Sequence, residues 1–177
     1  DGYPSDDFYT TSHDGDFITD AQLTTGRIPL NTLEDATNFI EKNSTYIIDP
    51  TLGIWRSKIA LVADDMYYHC SLRERDSSHT VYSQNLYEKL KMHLPILPYY
   101  SVHYNMQNCT YPDLTNDLIQ TINNGVAFIN YIGHGDPEKW AEEKLIQKSD
   151  ISLIHPNEGK LAIWIAGTCS FGKYYDE

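Results

Sequence analysis

Short apolar runs that alternate with helical segments restrict the fold of this chain more than any other feature of its sequence. Three runs, at residues 59–64, 126–132 and 161–167, are too short for helices and lack the polar alternation of half-exposed strands. A weaker strand signal lies at residues 99–104. Strands that alternate with helices predict an α/β fold, in which a mainly parallel sheet is covered by helices on both faces.

Three helices are predicted between and before these strands. The first begins at Thr32, whose side chain can cap it, and the second spans residues 79–94 and ends before a proline. The third begins at Pro112 and ends at Gly125, a residue suited to a helix C-terminal cap. The apolar positions at helical spacing are Ala36, Phe39, Ile40, Tyr82, Leu86, Leu90, Leu114, Leu118, Ile119 and Ile122.

The composition argues against several classes of function. The net charge of −12 disfavours a nucleic-acid partner, because phosphate binding needs clustered Lys and Arg. The sequence has no glycine-rich nucleotide-binding motif, and its three cysteines lack the CxxC spacing of zinc sites. No apolar run approaches the ~20 residues of a membrane-spanning helix. Because the cysteines show no zinc-site spacing, Cys70 and Cys109 are interpreted as structural. With three cysteines, at most one internal disulfide can form.

Two of the predicted strands end in turns that carry reactive side chains. The strand at residues 126–132 runs into residues 133–135 (GHG), and the strand at residues 161–167 runs into a turn that contains Cys169. Parallel strands end at one edge of a sheet, where ligands bind, and neighbouring strands lie about 4.8 Å apart. If these two strands are neighbours, the imidazole of His134 and the thiol come close to hydrogen-bond reach.

This pair has the chemistry of cysteine-based acyl transfer. The thiolate of Cys169 would attack a carbonyl, while His134 would take the thiol proton and return it to the leaving amine. Backbone N–H groups near Gly135 and Cys169 are candidates for an oxyanion hole. In the strand order 2-1-3-4, Asp64 and Asp65 flank His134 on the side away from Cys169, where an acid can orient the imidazole.

Two metal sites remain open on sequence grounds. Asp64, Asp65, His69 and Cys70 lie close together and could ligate zinc in a metal-dependent hydrolase, although their spacing matches no closed zinc site. The acidic stretch at residues 1–26 could hold a structural calcium ion, although it lacks the spacing of an EF-hand. Apart from that calcium ion, we expect no cofactor.

Several segments, in the same order along the chain, resemble the gingipain-like cysteine peptidases. They are residues 3–9 (YPSDDFY), 26–30 (GRIPL), 55–56 (WR), 62–65 (VADD), 130–135 (NYIGHG), 140–143 (WAEE) and 166–172 (AGTCSFG). The resemblance thus spans nearly the whole chain. Within the family it is greatest to the sortase-like signal peptidases of the bacterial type IX secretion system.

This resemblance implies a caspase-like three-layer α/β/α sandwich, with His134 and Cys169 as the catalytic pair and Asp65, or failing it Asp64, as the acid that supports the histidine. It also implies a Bacteroidota-type protein at the cell surface or outer membrane, which cleaves C-terminal signal domains from exported cargo and can transfer that cargo to lipopolysaccharide. Its partners would be protein substrates and other outer-membrane secretion components. A catalytically silent binding or scaffold domain of the same family is the main alternative.

The resemblance implies a domain organisation as well. Residues 1–30 correspond to the tail of a preceding subdomain, with an acidic loop and a short strand. Residues 31–177 correspond to the catalytic subdomain. Catalytic domains of the family continue past the nucleophile strand, so the chain is expected to be a fragment that is truncated after that strand.

Overall fold

The computed structural model describes residues 23–65, 78–155 and 159–171. The chain divides into two compact units, residues 1–40 with 173–177 and residues 41–172. All the described residues of the predicted site belong to the second unit. No helix within the described ranges is both long enough and apolar enough to cross a membrane.

Three α-helices form in the predicted segments, although the second ends at Leu90 rather than at residue 94. They are α1 (Leu33–Ile48), α2 (Ser78–Leu90) and α3 (Pro112–Asn124), with 3₁₀ helices at Ile54–Ser57, Ser101–His103 and Lys148–Leu153. At the start of α1, the Asp35 N–H donates to Thr32 Oγ1 at 3.0 Å, which confirms the predicted cap. After α3, Gly125 has a φ of 95°, and its N–H donates to the Thr121 carbonyl at 3.0 Å.

Four strands form one parallel sheet, and two very short strands form a separate hairpin. The strands are β1 (Ile59–Ala63), β2 (Ile96–Tyr100), β3 (Phe128–Ile132), β4 (Lys139–Trp140), β5 (Ile146–Gln147) and β6 (Ile163–Gly167). The parallel sheet has the order β2-β1-β3-β6, and β4 pairs with β5 antiparallel. The predicted strand order is therefore confirmed, with β3 between the strand that precedes Asp64 and the strand that precedes Cys169.

The core lies on both faces of β1, because alternate residues of this strand point to opposite sides of the sheet. Val62 packs in a cluster with Leu118 of α3 and Ile129 of β3. Leu61 and its neighbours on the opposite face form a second cluster, against which Leu86 of α2 packs. Helices thus lie on both faces of a mainly parallel sheet, as the predicted α/β/α class requires.

Three details of the prediction are wrong. Strand β2 runs from Ile96 to Tyr100 rather than over residues 99–104, and it tolerates Pro98 because it lies at an edge of the sheet. Tyr82 does not face the core: it is 65% exposed, whereas Ser83 on the adjacent face of α2 is buried. Strand β6 is not covered on both faces within the described residues, because Ile163 and the next two residues remain exposed.

Candidate active site

The turns after β3 and β6 lie side by side at the carboxyl edge of the sheet. Ile132 pairs in register with Gly167, and the Gly133 N–H donates to the Gly167 carbonyl at 3.4 Å. His134 and Cys169 are each two residues beyond that last pair. The structure therefore brings the two predicted catalytic residues to corresponding positions on neighbouring strand ends.

Gly135 lies at the point where these two turns approach most closely. A Cβ atom at this position would lie 2.5 Å from Thr168 Oγ1 and 3.3 Å from the carbonyl oxygen of Cys169. Only a residue without a side chain fits that approach without displacement of the neighbouring turn. Among the described residues, the backbone N–H groups of Gly135 and Cys169 donate no hydrogen bond.

The backbone of His134 is fixed from three directions. Its N–H donates to Asp64 Oδ2 at 3.3 Å, and its carbonyl oxygen accepts hydrogen bonds from the Ala141 N–H at 2.8 Å and from the Tyr131 hydroxyl. Tyr131 in turn stacks on Trp140, with ring centroids 4.2 Å apart and planes within 5° of parallel. These contacts hold the His134 turn against the hairpin, so the imidazole projects from a rigid support.

A second histidine lies beside the first. The rings of His79 and His134 meet edge to face, with centroids 5.2 Å apart. His79 Nδ1 is within hydrogen-bond distance of the Asp65 carbonyl oxygen, at 3.2 Å. His79 is not among the site residues predicted from the sequence, because it lies at the start of a helix whose pattern indicates only packing against the sheet.

Three carboxyl groups are buried behind His134. Asp64 and Asp65 follow β1, and Glu143 lies between β4 and β5; all three are almost completely shielded from solvent. Asp64 Oδ2 bonds the backbone of His134, whereas Asp65 Oδ2 accepts a hydrogen bond from the buried Tyr111 hydroxyl at 2.9 Å. The structure thus places both predicted acids on the expected side of His134.

The environment of these acids disfavours ionisation of two of them. Burial, together with the negative charges of Glu143 and Asp65, raises the pKa of Asp64 to about 9. Burial likewise raises the pKa of Glu143, with further contributions from Asp65 and Glu142, while His134 acts in the opposite direction. Glu143 was absent from the candidates deduced from strand positions, because two-residue strands leave no periodic signal. The WAEE segment at residues 140–143 was its only sequence signal, through the family resemblance.

The two described cysteines differ in their chemical state. Cys169 is a free, exposed thiol, and Cys109 is disulfide-bonded. His69 and Cys70, the other members of the zinc alternative, lie outside the described residues, as does the acidic stretch up to residue 22. The exposed thiol of Cys169 is accessible to a substrate, as a nucleophile must be.

Comparison with known proteins places these features in a family. The model of peptidase family C25 matches residues 1–177. The solved structure of the Arg-specific cysteine proteinase gingipain R aligns with a TM-score of 0.73 and 17% identity, over 98% of this chain and 37% of the gingipain chain. A complex of the RgpB pro- and mature domains from Porphyromonas gingivalis aligns with a TM-score of 0.58 and 18% identity, over 84% of this chain and 33% of that one. No curated protein sequence matches the chain.

Proposed function

The chain belongs to peptidase family C25, and on that premise we propose that it carries the nucleophile and the general base of a cysteine peptidase, Cys169 and His134. The similar solved chains confirm the fold, and this chain spans about a third of their length. The observation that supports the proposal most strongly is the shared register of β3 and β6, because the turn that carries the free, exposed Cys169 then lies next to the turn that carries His134.

The first chemical step is formation of an acyl-enzyme. His134 accepts the thiol proton, Cys169 Sγ forms a bond to the substrate carbonyl carbon, and the carbonyl oxygen becomes an oxyanion. The N–H groups of Gly135 and Cys169 donate to this oxyanion. When the tetrahedral intermediate collapses, the C–N bond breaks and His134 gives its proton to the leaving amine.

The second step releases the acyl group. Water attacks the thioester in a peptidase, whereas an amine or hydroxyl group of an acceptor attacks it in a transpeptidase, and in both cases His134 removes the proton from the attacking group. Negative charge behind the imidazole stabilises its protonated form during both steps. Asp65 is the group we assign to this role, with Asp64 holding the backbone of the same histidine.

We further propose a specific substrate class, on the quoted sequence segments rather than on the fold. The segments at residues 130–135, 140–143 and 166–172 resemble PorU, the sortase-like signal peptidase of the type IX secretion system. The substrates would then be exported proteins with a C-terminal signal domain, processed at the cell surface or outer membrane beside other secretion components. The enzyme would pass some of these proteins to lipopolysaccharide.

Substitution of the catalytic pair tests the peptidase assignment. In the native protein, Cys169→Ala and His134→Ala should each abolish cleavage of a mixed peptide library while the melting temperature stays near that of the wild type, because residues that act as one unit lose function together. His155→Ala is the matched control, since His155 is exposed and its backbone N–H donates to Asn123 near the end of α3, whereas the catalytic turns follow the far ends of β3 and β6. A Cys169→Ala protein that cleaves peptides at the wild-type rate would contradict the assignment and leave a metal-dependent hydrolase as the alternative.

An assay with an exported cargo protein distinguishes general peptidase activity from cleavage at a C-terminal signal domain. The wild-type protein should cut an exported protein at the junction with its C-terminal signal domain, and the Cys169→Ala variant should not. A protein that cleaves unrelated peptides and leaves this junction intact would be a peptidase of another role. A wild-type protein that cleaves neither substrate but still binds the cargo would be a scaffold domain.

A further inference from the structure

Three carboxylates meet inside the protein behind the His134 turn, and the mechanism above gives no role to Glu143. One oxygen atom from each of Asp64, Asp65 and Glu143 can be chosen so that all three lie within 4.8 Å of one another. Their exposed fractions are 0%, 1% and 1%. Two acids that follow β1 and one acid from the β4–β5 hairpin thus converge on one buried position.

The protein satisfies only part of this cluster. Asp64 Oδ2 and Asp65 Oδ2 accept hydrogen bonds from His134 and Tyr111. Asp64 Oδ1 and both carboxylate oxygens of Glu143 are shielded from solvent and have no hydrogen-bond partner in the described part of the chain. Neither Asp64 nor Glu143 forms an ion pair with a described Lys or Arg. Buried carboxylates are normally hydrogen-bonded, paired or bound to a metal, so these orphaned oxygens indicate a ligand with positive charge.

We propose that Asp64, Asp65 and Glu143 bind one Ca²⁺ ion. The donors are carboxylate oxygens, which hard cations such as Ca²⁺ and Mg²⁺ prefer, whereas zinc favours nitrogen and sulfur. Mg²⁺ usually keeps several of its waters, and a fully buried set of acids suits it less well than Ca²⁺, which accepts several protein oxygens in flexible geometry. Both Glu143 oxygens are unpartnered, so this residue can bind the ion through both of them.

The proposed ion joins two elements that position the catalytic histidine. Asp64 holds the His134 N–H, and Glu143 lies in the hairpin whose Ala141 N–H bonds the His134 carbonyl oxygen. A divalent ion cancels two of the three negative charges of the cluster. The remaining charge still favours the protonated imidazole, so the ion can stabilise the turn without opposing the chemistry. The ion site itself does not depend on the protein being a peptidase.

Calcium titration of the native protein after dialysis against EDTA tests this site. The wild-type protein should bind Ca²⁺ by calorimetry and melt several degrees higher in millimolar CaCl₂, because an ion that binds only the folded state stabilises it. MgCl₂ at the same concentration should have a smaller effect. Glu143→Gln should weaken the calcium affinity at this site at least tenfold, since it removes a charged bidentate ligand.

Glu142→Gln is the matched control, because Glu142 is exposed and pairs with Lys139 at 3.0 Å on the outside of the same hairpin. It should bind calcium as the wild type does. Asp64→Asn is a second variant with the same expected loss, and circular dichroism in EDTA establishes that each variant is folded. No calcium-dependent heat or melting shift in the wild type would overturn the proposal. So would an equal shift in wild type, Glu143→Gln and Asp64→Asn, which would assign the bound calcium to another part of the chain.

Discussion

A methyl group at position 135 should separate the two catalytic turns. In a Gly135→Ala protein the new Cβ would lie 2.5 Å from Thr168 Oγ1 and 3.2 Å from Thr168 Cγ2. Ordinary contact starts near 3.4 Å, so the turn that carries Cys169 must move by about 0.9 Å relative to the His134 turn. Overpacking of this kind costs roughly 1–3 kcal/mol of unfolding free energy. A displacement of about 1 Å between catalytic groups can lower the rate of reaction about 100-fold.

Removal of the Thr168 side chain should restore much of both losses. Thr168→Ala deletes the two atoms nearest to the new methyl group and leaves the Cys169 carbonyl oxygen, at 3.3 Å, as its closest neighbour. Thr168 Oγ1 has no hydrogen-bond partner among the described residues, so this substitution alone should cost little hydrogen-bond energy. The double variant should therefore be more stable than the sum of the single changes predicts, by about 1 kcal/mol or more.

Urea unfolding and the rate of peptide cleavage measure these effects. Gly26→Ala is the control for the backbone change itself, because a Cβ at Gly26 meets no atom within 4 Å. A Gly135→Ala protein that unfolds and cleaves peptides as the Gly26→Ala protein does would refute the steric explanation. It is equally refuted if Thr168→Ala fails to suppress the defect, since the steric contact would then not be its cause.

Two further predictions concern the buried acids. In EDTA, the stability of Asp64→Asn relative to the wild type should increase as the pH rises from 5 to 9, by up to about 1.4 kcal/mol per pH unit. Folding raises the pKa of Asp64 from 3.8 to about 9, so ionisation of this group between those values destabilises the folded wild-type protein. Urea unfolding at a series of pH values measures the difference, and a pH-independent difference would contradict the prediction. Tyr111→Phe should cost about 1–3 kcal/mol of unfolding free energy, because it removes the hydrogen bond that the buried Tyr111 hydroxyl donates to Asp65 Oδ2. Tyr82→Phe, at an exposed position, should cost almost nothing. Equal effects of the two substitutions in thermal or urea unfolding would disprove the role of that hydrogen bond.

The sequence predicts the edge of the sheet at which the site lies, because strands and helices that can be recognised locally fix the arrangement of a parallel sheet. The apolar runs before Asp64, His134 and Cys169 identify three strands, and the helices between them require parallel neighbours. The helix cap at Thr32 follows from its side-chain hydroxyl, and the cap at Gly125 from the backbone freedom of glycine. These features depend on residues close together in the chain.

Features that depend on tertiary contacts were not predictable in the same way. The hairpin that carries Glu143 has two-residue strands, and Ala141 and Lys144 within it adopt positive φ values of 61° and 57°. Neither alternation nor glycine signals such a turn. Tyr82 matches the period of α2 but lies on the exposed side, because Ser83 and Leu86 face the sheet instead. The contacts that these residues make in the folded chain, rather than their local propensity, determine their conformation and exposure.

The reactivity of Cys169 tests the central claim most directly. Alkylation of the native protein by iodoacetamide, followed by peptide mapping, reports the rate at this exposed thiol, while Cys109 is held in a disulfide. If His134 accepts the thiol proton, Cys169 should react at pH 6–7 much faster than an ordinary thiol, and His134→Ala should slow this reaction about tenfold or more while His155→Ala leaves it unchanged. Equal alkylation rates at Cys169 in the wild-type and His134→Ala proteins across that pH range would contradict the account.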